Sequence, residues 1–194
     1  MARHITLIQG HPDPDARRFS RALAQAYADG ARGAGREVRV IDVAQLEFPL
    51  LRSQADWAAS APPPALKDAQ DAIAWAHHLV LFYPLWLGTM PAFFKGFLEQ
   101  VLRPGFARET TTEGGYGKPL LLGRSARIVV TMGMPAFVYR WYFGAHSLKS
   151  LERNTLRFCG IGPIRESLIG SVGSSSKRRH EEWLAKMRAL GAGD

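Results

Sequence analysis

An α/β fold built on one five-stranded parallel sheet is predicted by three features of this 194-residue chain. Short apolar runs alternate with stretches of helical spacing in the order βαβαβαβαβα. The runs carry few charges, as strands covered by helices on both faces must. At residues 78–102 a strand, a tight loop and a helix follow one another directly, bracketed by Pro84 and Pro91.

Ile5–Gln9 is an uncharged first strand. From Arg18 to Ala34, the residues Phe19, Ala22, Leu23, Ala26 and Tyr27 recur at i, i+3, i+4 spacing, which predicts a helix stopped by Gly33 and Gly35. Glu37–Ile41 alternates polar and apolar, so this strand has one wet side and lies nearer a sheet edge. Leu46 to Pro64 is a long connection, Ala65 to Ala76 a helix and His78–Tyr83 the third strand. Proline lacks an N–H and fixes φ, so Pro84 ends that strand and Pro91 opens a helix running to Leu102. Phe106 to Gly123, with Gly114, Gly115, Gly117 and Pro119, is expected to be a surface excursion. Ala126 to Met132 is the fourth strand. A helix follows the aromatic stretch 133–144 and runs to about Phe158, and Ile164 to Gly170 is the fifth strand. Ser176 to Leu190 is the closing helix, with Ser174 or Ser175 as its cap.

Five such strands predict a flavodoxin-like three-layer sandwich of strand order 2-1-3-4-5, with residues 1–194 as a single domain. With 46% hydrophobic residues, the chain can bury one sizeable core. No apolar run reaches the roughly 18 residues of a membrane span, so no insertion into a membrane is expected. The sequence opens without the pattern of a secretory signal, and a single cysteine, Cys159, removes any internal disulfide framework. Both features point to the cytoplasm. The net charge of +8 is concentrated in residues 108–194, which hold 14 Lys and Arg against 7 acidic residues. The basic residues are scattered apart from Lys177-Arg178-Arg179, and no nucleic-acid module accompanies them. A solvated surface is therefore expected, not a nucleic-acid partner.

In this strand order the winding direction switches between the first and third strands, and ligands bind outside their carboxyl ends. Three loops should meet there: 10–20, 84–90 and 131–139. The first places His11, Arg17, Arg18 and Ser20 at a helix start, a set that can hold an anion. It reads equally as a polar turn in which Asp13 or Asp15 caps the helix. In the second, Leu85, Trp86 and Leu87 form either core or the apolar wall of a ligand crevice; a tryptophan on so short a loop favours the wall. The third supplies Thr131 and Gly133, whose backbone admits close approach of a ring. Phe137, Tyr139, Trp141, Tyr142, Phe143 and His146 follow, and so many aromatics predict a flat apolar pocket or a subunit contact beside it.

Other chemistries lack their motifs. Neither G-x-G-x-x-G nor the P-loop pattern occurs, and no G-x-S-x-G elbow is present. His77-His78 and His180-Glu181-Glu182 lack the companions of a metal site. Cys159 follows an apolar run and reads as buried and inert.

Four blocks carry a resemblance: the His11-Pro12 turn, YPLWLGTMPAFFKGFLEQVLRPGFA (83–107), VVTMGMP (129–135) and FCGIGPIRESLIG (158–170). Together they resemble the flavodoxin-like NAD(P)H:quinone oxidoreductases, a family that includes mammalian quinone reductases and bacterial ancillary proteins of potassium efflux systems. The resemblance covers nearly the whole chain. It implies that His11, Arg18, Phe19 and Ser20 hold the phosphate of a bound flavin, FAD or FMN. Pro84, Leu85, Trp86 and Leu87 would line one side of the isoalloxazine, and Thr131, Met132 and Gly133 the other. Arg178 or Arg179 would serve the second nucleotide of FAD. Tyr139 matches the tyrosine that family members place near the flavin carbonyl edge. The family's relay histidine stands six residues beyond that tyrosine; here that position is Ala145, and His146 follows it. The family's Thr-Thr-Gly-Gly loop is Thr131-Met132-Gly133-Met134 in this chain.

The activity implied by the resemblance is two-electron hydride transfer from NADH or NADPH through the flavin to a quinone, by a ping-pong mechanism. Tyr139 and His146 would stabilise negative charge at the flavin edge. Family members pair as homodimers, a contact that the 114–119 segment, with Tyr116, and the aromatic stretch 137–143 would suit. The alternative from the same resemblance is a flavin-binding regulatory subunit whose partner is a potassium efflux transporter.

Overall fold

In the computed structural model, which describes residues 4–58, 61–110 and 117–194, five strands form one parallel sheet. They are β1 (His4–Gln9), β2 (Glu37–Asp42), β3 (His78–Pro84), β4 (Ser125–Thr131) and β5 (Ile164–Ile169). Their order is β2-β1-β3-β4-β5, the flavodoxin-like arrangement expected from the sequence. Among the described residues, six α-helices accompany the sheet: α1 (Phe19–Gly33), α2 (Gln54–Ala58), α3 (Lys67–Trp75), α4 (Ala92–Val101), α5 (His146–Lys149) and α6 (Lys177–Gly193). A π-helical turn occupies Val138–Tyr142, and α5 continues as a π-helix over Ser150–Arg157.

The central position of β3 explains its composition. It is flanked by β1 and β4, and every residue from His78 to Pro84 is buried. Its side chains alternate between two cores. Val80 and Phe82 pack with Leu23, Tyr27 and Ala31 of α1 and Met187 of α6. Leu79, Leu81 and Tyr83 join Ile73 of α3 and Phe94 and Phe97 of α4. Burial on both sides is why the strand reads as one continuous apolar run. β2 has a neighbour on one side only and leaves Glu37, Arg39 and Val40 exposed. On the α1 face the two helices cross closely: a Cβ on Gly30 would lie 1.9 Å from the Arg188 carbonyl oxygen, so only glycine fits.

Beyond α6, Asp194 is buried in a charge cluster. Its carboxylate accepts from Arg127 Nε at 2.6 Å, Arg127 Nη2 at 3.0 Å, Arg165 Nη1 at 2.9 Å and the Tyr27 hydroxyl at 3.0 Å. The cluster ties α6 to α1, β4 and β5.

Some boundaries depart from expectation. Neither Asp13 nor Asp15 caps α1, which starts at Phe19 with no side-chain cap. Each carboxylate instead accepts an N–H two residues on, Asp15 N at 2.9 Å and Arg17 N at 3.0 Å, and so closes a turn inside the loop. The closing helix is capped by Ser176, not Ser174 or Ser175, through Arg179 N at 3.3 Å, and it extends to Gly193. α2 lies within the expected long connection. Residues 111–116, which hold much of the expected excursion and the Tyr116 contact, lie outside the described residues. Among the described residues, no helix is long and apolar enough to cross a membrane.

Candidate active site

The strand register brings the three loops to one rim of the sheet. Gln9 stands opposite Phe82, and Pro84 opposite Thr131. Gly10 N–H then donates to the Phe82 carbonyl at 2.7 Å, and Leu85 N–H to the Thr131 carbonyl at 2.7 Å. The His11 and Trp86 rings meet edge to face, with centroids 5.7 Å apart. The third loop is held from behind by the chain after β5, through Ser171 N–H to the Met134 carbonyl at 2.9 Å.

In the first loop, His11 is buried and its Nδ1 accepts the Asp13 N–H at 3.0 Å. Burial lowers its pKa; the Asp13 carboxylate opposes this, while Arg18 and Arg21 add to it. The ring is therefore neutral at pH 7 and carries its proton on Nε2, as a donor. Arg18 Nε binds Asp13 Oδ2 at 2.6 Å, and Arg17 binds Asp15 at 2.8 Å. Arg21 is bidentate to Asp42 at 2.7 and 2.9 Å. Each of these arginines is thus tied to a carboxylate. Asp13 is held below the usual carboxylate range chiefly by the Asp15 N–H and then by Arg18, and Asp15 chiefly by Arg17.

Phe19 stacks on His180 at 4.3 Å, which joins the first turns of α1 and α6. Ser20 is buried, and its Oγ has no hydrogen-bond partner. Leaving a buried hydroxyl unmatched is unfavourable. This one sits in the first turn of a long helix, where N–H groups and the helix dipole favour an anion. The residues present therefore fit a phosphate at this point.

In the second loop, Leu85 packs against the core, whereas Trp86 is half-exposed and Leu87 fully exposed. Leu85 is thus part of the core, and the next two residues are on the surface. In the third loop, Thr131 and Met132 are buried, with Met132 inside the core. Gly133 is exposed, and a Cβ added to it would meet nothing within 4 Å, so open space adjoins the backbone there.

Tyr139 is buried. Its hydroxyl accepts the Leu148 N–H at 3.2 Å and lies 2.7 Å from Ser147 Oγ. Between Tyr139 and α5, Phe143 N–H bonds the Val138 carbonyl at 3.1 Å and Ala145 N–H the Tyr139 carbonyl at 3.0 Å. A π-turn accommodates one residue more than an α-turn. Ala145 consequently enters the core, and His146 is the exposed residue opening α5. Residue spacing alone could not show this, and nothing in the sequence marked Ser147. Phe137, Trp141, Tyr142 and Phe143 remain exposed.

Two cavities adjoin these elements differently. One of about 450 Å³ borders the first loop and is lined by Gln9, Ala16, Arg21 and Asp42 among others. Another of about 480 Å³, between α2, α4 and residues 154–159, shares no lining residue with the three loops. It includes Cys159, whose thiol pKa is pushed up to about 11 by burial.

Residues 3–190 match the family described as having a flavodoxin-like fold. An uncharacterized NAD(P)H oxidoreductase of Haemophilus influenzae is 30% identical over 170 residues, 86% of this chain and 83% of the relative. The structure of an NAD(P)H:quinone oxidoreductase from Methanothermobacter marburgensis shares the fold with a TM-score of 0.82 at 22% identity, covering 100% of this chain and 97% of that one. An FMN-dependent NADH-azoreductase from Bacillus anthracis, solved with FMN, has a TM-score of 0.74 at 15% identity and 98% coverage of both chains. The chain belongs to the flavodoxin-like NAD(P)H:quinone oxidoreductase family, a family of oxidoreductase enzymes.

Proposed function

We propose that the protein is a flavin-dependent NAD(P)H:quinone oxidoreductase. One observation carries this reading: an unmatched buried hydroxyl, Ser20, and a neutral His11 stand at the same rim of the sheet as the exposed apolar turn at Trp86 and Leu87. Groups that could recognise a phosphate and an apolar turn that could flank a flat ring thus stand side by side, and the FMN-bound azoreductase shares the fold.

Ser20 Oγ, His11 Nε2 and the first N–H groups of α1 would hold the flavin phosphate, with Phe19 bordering it and Arg18 adding positive charge while its bond to Asp13 fixes the loop. Pro84–Leu87 and the backbone of Thr131–Gly133 would border the ring. A bound flavin would supply the redox chemistry, hydride acceptance from NAD(P)H and two-electron reduction of a quinone. Leu148 N–H and Ser147 O–H can both donate to the Tyr139 oxygen, which leaves the phenol proton available to a developing negative charge. His146, exposed beside it, is the second candidate stabiliser. Exposed Phe137, Trp141, Tyr142 and Phe143 support a homodimer contact close to the site.

Steady-state oxidation of NADH and NADPH by the apoprotein, with and without FMN or FAD and with menadione as acceptor, tests the proposal. Turnover that requires both flavin and quinone is expected. Tight flavin with negligible turnover would contradict it.

A further inference from the structure

The chain carries a net charge of +8, yet its phosphate cradle at the start of α1 holds no surplus of positive charge. Residues 10–21 contain three arginines, and each is matched to a carboxylate. Arg17 pairs with Asp15 at 2.8 Å, Arg18 with Asp13 at 2.6 Å, and Arg21 with Asp42 at 2.7 and 2.9 Å. His11 adds no charge while its ring is neutral. What remains for an anion is a set of hydrogen bonds, from the Ser20 hydroxyl, His11 Nε2 and the first N–H groups of α1. Ser20 is only 3% exposed and its Oγ is unmatched. The helix dipole adds about half a positive charge. Such a cradle suits one negative charge better than two.

We infer that Asp13 and Asp15 are specificity-determining residues: by cancelling Arg18 and Arg17, they make the cradle prefer the singly charged phosphodiester of FAD to the doubly charged phosphomonoester of FMN. This rests on the proposed flavin function. A phosphate monoester loses its second proton near pH 6 and so carries about two charges at neutral pH. Each phosphate of the FAD pyrophosphate carries a single charge. The same riboflavin is therefore presented with either charge, and the two carboxylates repel FMN the more strongly.

Asparagine at either position removes the charge and keeps an oxygen for the N–H that closes the turn, that of Asp15 for Asp13 and that of Arg17 for Asp15. Fluorescence titrations of the apoproteins with riboflavin, FMN and FAD at about pH 7.5 read the effect, because the monoester is doubly charged there. Wild type should bind FAD more tightly than FMN. Removing one charge acts on two charges in FMN and on one in the nearer phosphate of FAD. Asp13→Asn and Asp15→Asn should each tighten FAD about threefold and FMN about tenfold, and leave riboflavin unchanged. Wild type that favours FMN, variants that gain nothing for FMN, or equal changes for all three flavins overturn the inference; the last would mean that the carboxylates only shape the loop. If wild type binds none of the three, the proposed function fails instead, so the two failures are distinguishable.

Discussion

The phenolic oxygen of Tyr139 lies 2.7 Å from Ser147 Oγ, and this contact pins the π-turn to the start of α5. The same oxygen accepts the Leu148 N–H, in the first turn of α5, at 3.2 Å. Tyr139→Phe loses both bonds and should destabilise the fold by about 1–2 kcal/mol. Ser147→Ala should cost about half as much. Urea denaturation measures both; a Tyr139→Phe variant as stable as wild type would show that the contact holds nothing.

Asp194 gives a pH dependence. Burial pushes its pKa up, but the bonds and charge of Arg127 more than offset this, with Tyr27 contributing, and the carboxyl ends below its ordinary value. A depressed carboxylate contributes stability above its unfolded pKa of about 4 and loses that contribution as the pH falls through the folded value. The melting temperature should therefore drop with acidification below about pH 4, and less steeply in Asp194→Asn. At neutral pH, Asp194→Asn leaves Arg127 buried without its counter-charge and should cost about 3–5 kcal/mol.

Tyr83 should be improvable. It is buried in β3 against Phe94, and its hydroxyl has no hydrogen-bond partner. Burial also raises its pKa, so the group stays neutral. Tyr83→Phe removes an unmatched polar atom and should stabilise the apoprotein by about 1 kcal/mol, read as a higher melting temperature. A lower melting temperature would mean that the hydroxyl has a partner in solution.

Ser20 separates phosphate from ring recognition. Ser20→Ala should leave the apoprotein at least as stable as wild type, since the hydroxyl makes no bond there. It should weaken FMN by about tenfold, the value of a hydrogen bond to a charged group, and leave riboflavin unaffected. Equal losses for the two ligands would place the phosphate elsewhere.

The sheet was legible because burial on two faces writes itself as uninterrupted apolar runs, and β3 between its prolines is the clearest case. The edge position of β2 was legible from the alternation of Glu37 to Ile41. Convergence of the three loops followed from strand order alone. Less local facts were not legible. Whether Arg18 faces a ligand or Asp13 depends on a loop whose turns are closed by its own carboxylates. That Ala145 is buried and His146 exposed depends on a π-turn, which leaves no periodic trace. The left-handed backbone of Leu87, at φ +46°, contradicts its local preference, so no propensity argument could have found it.

The most direct test is a calorimetric titration of the apoprotein with FMN and with FAD. Saturation by at least one of them at one flavin per chain is the predicted result. No heat and no saturation with either would contradict the account, because the rim formed by His11, Ser20, Trp86 and Gly133 would then hold no flavin.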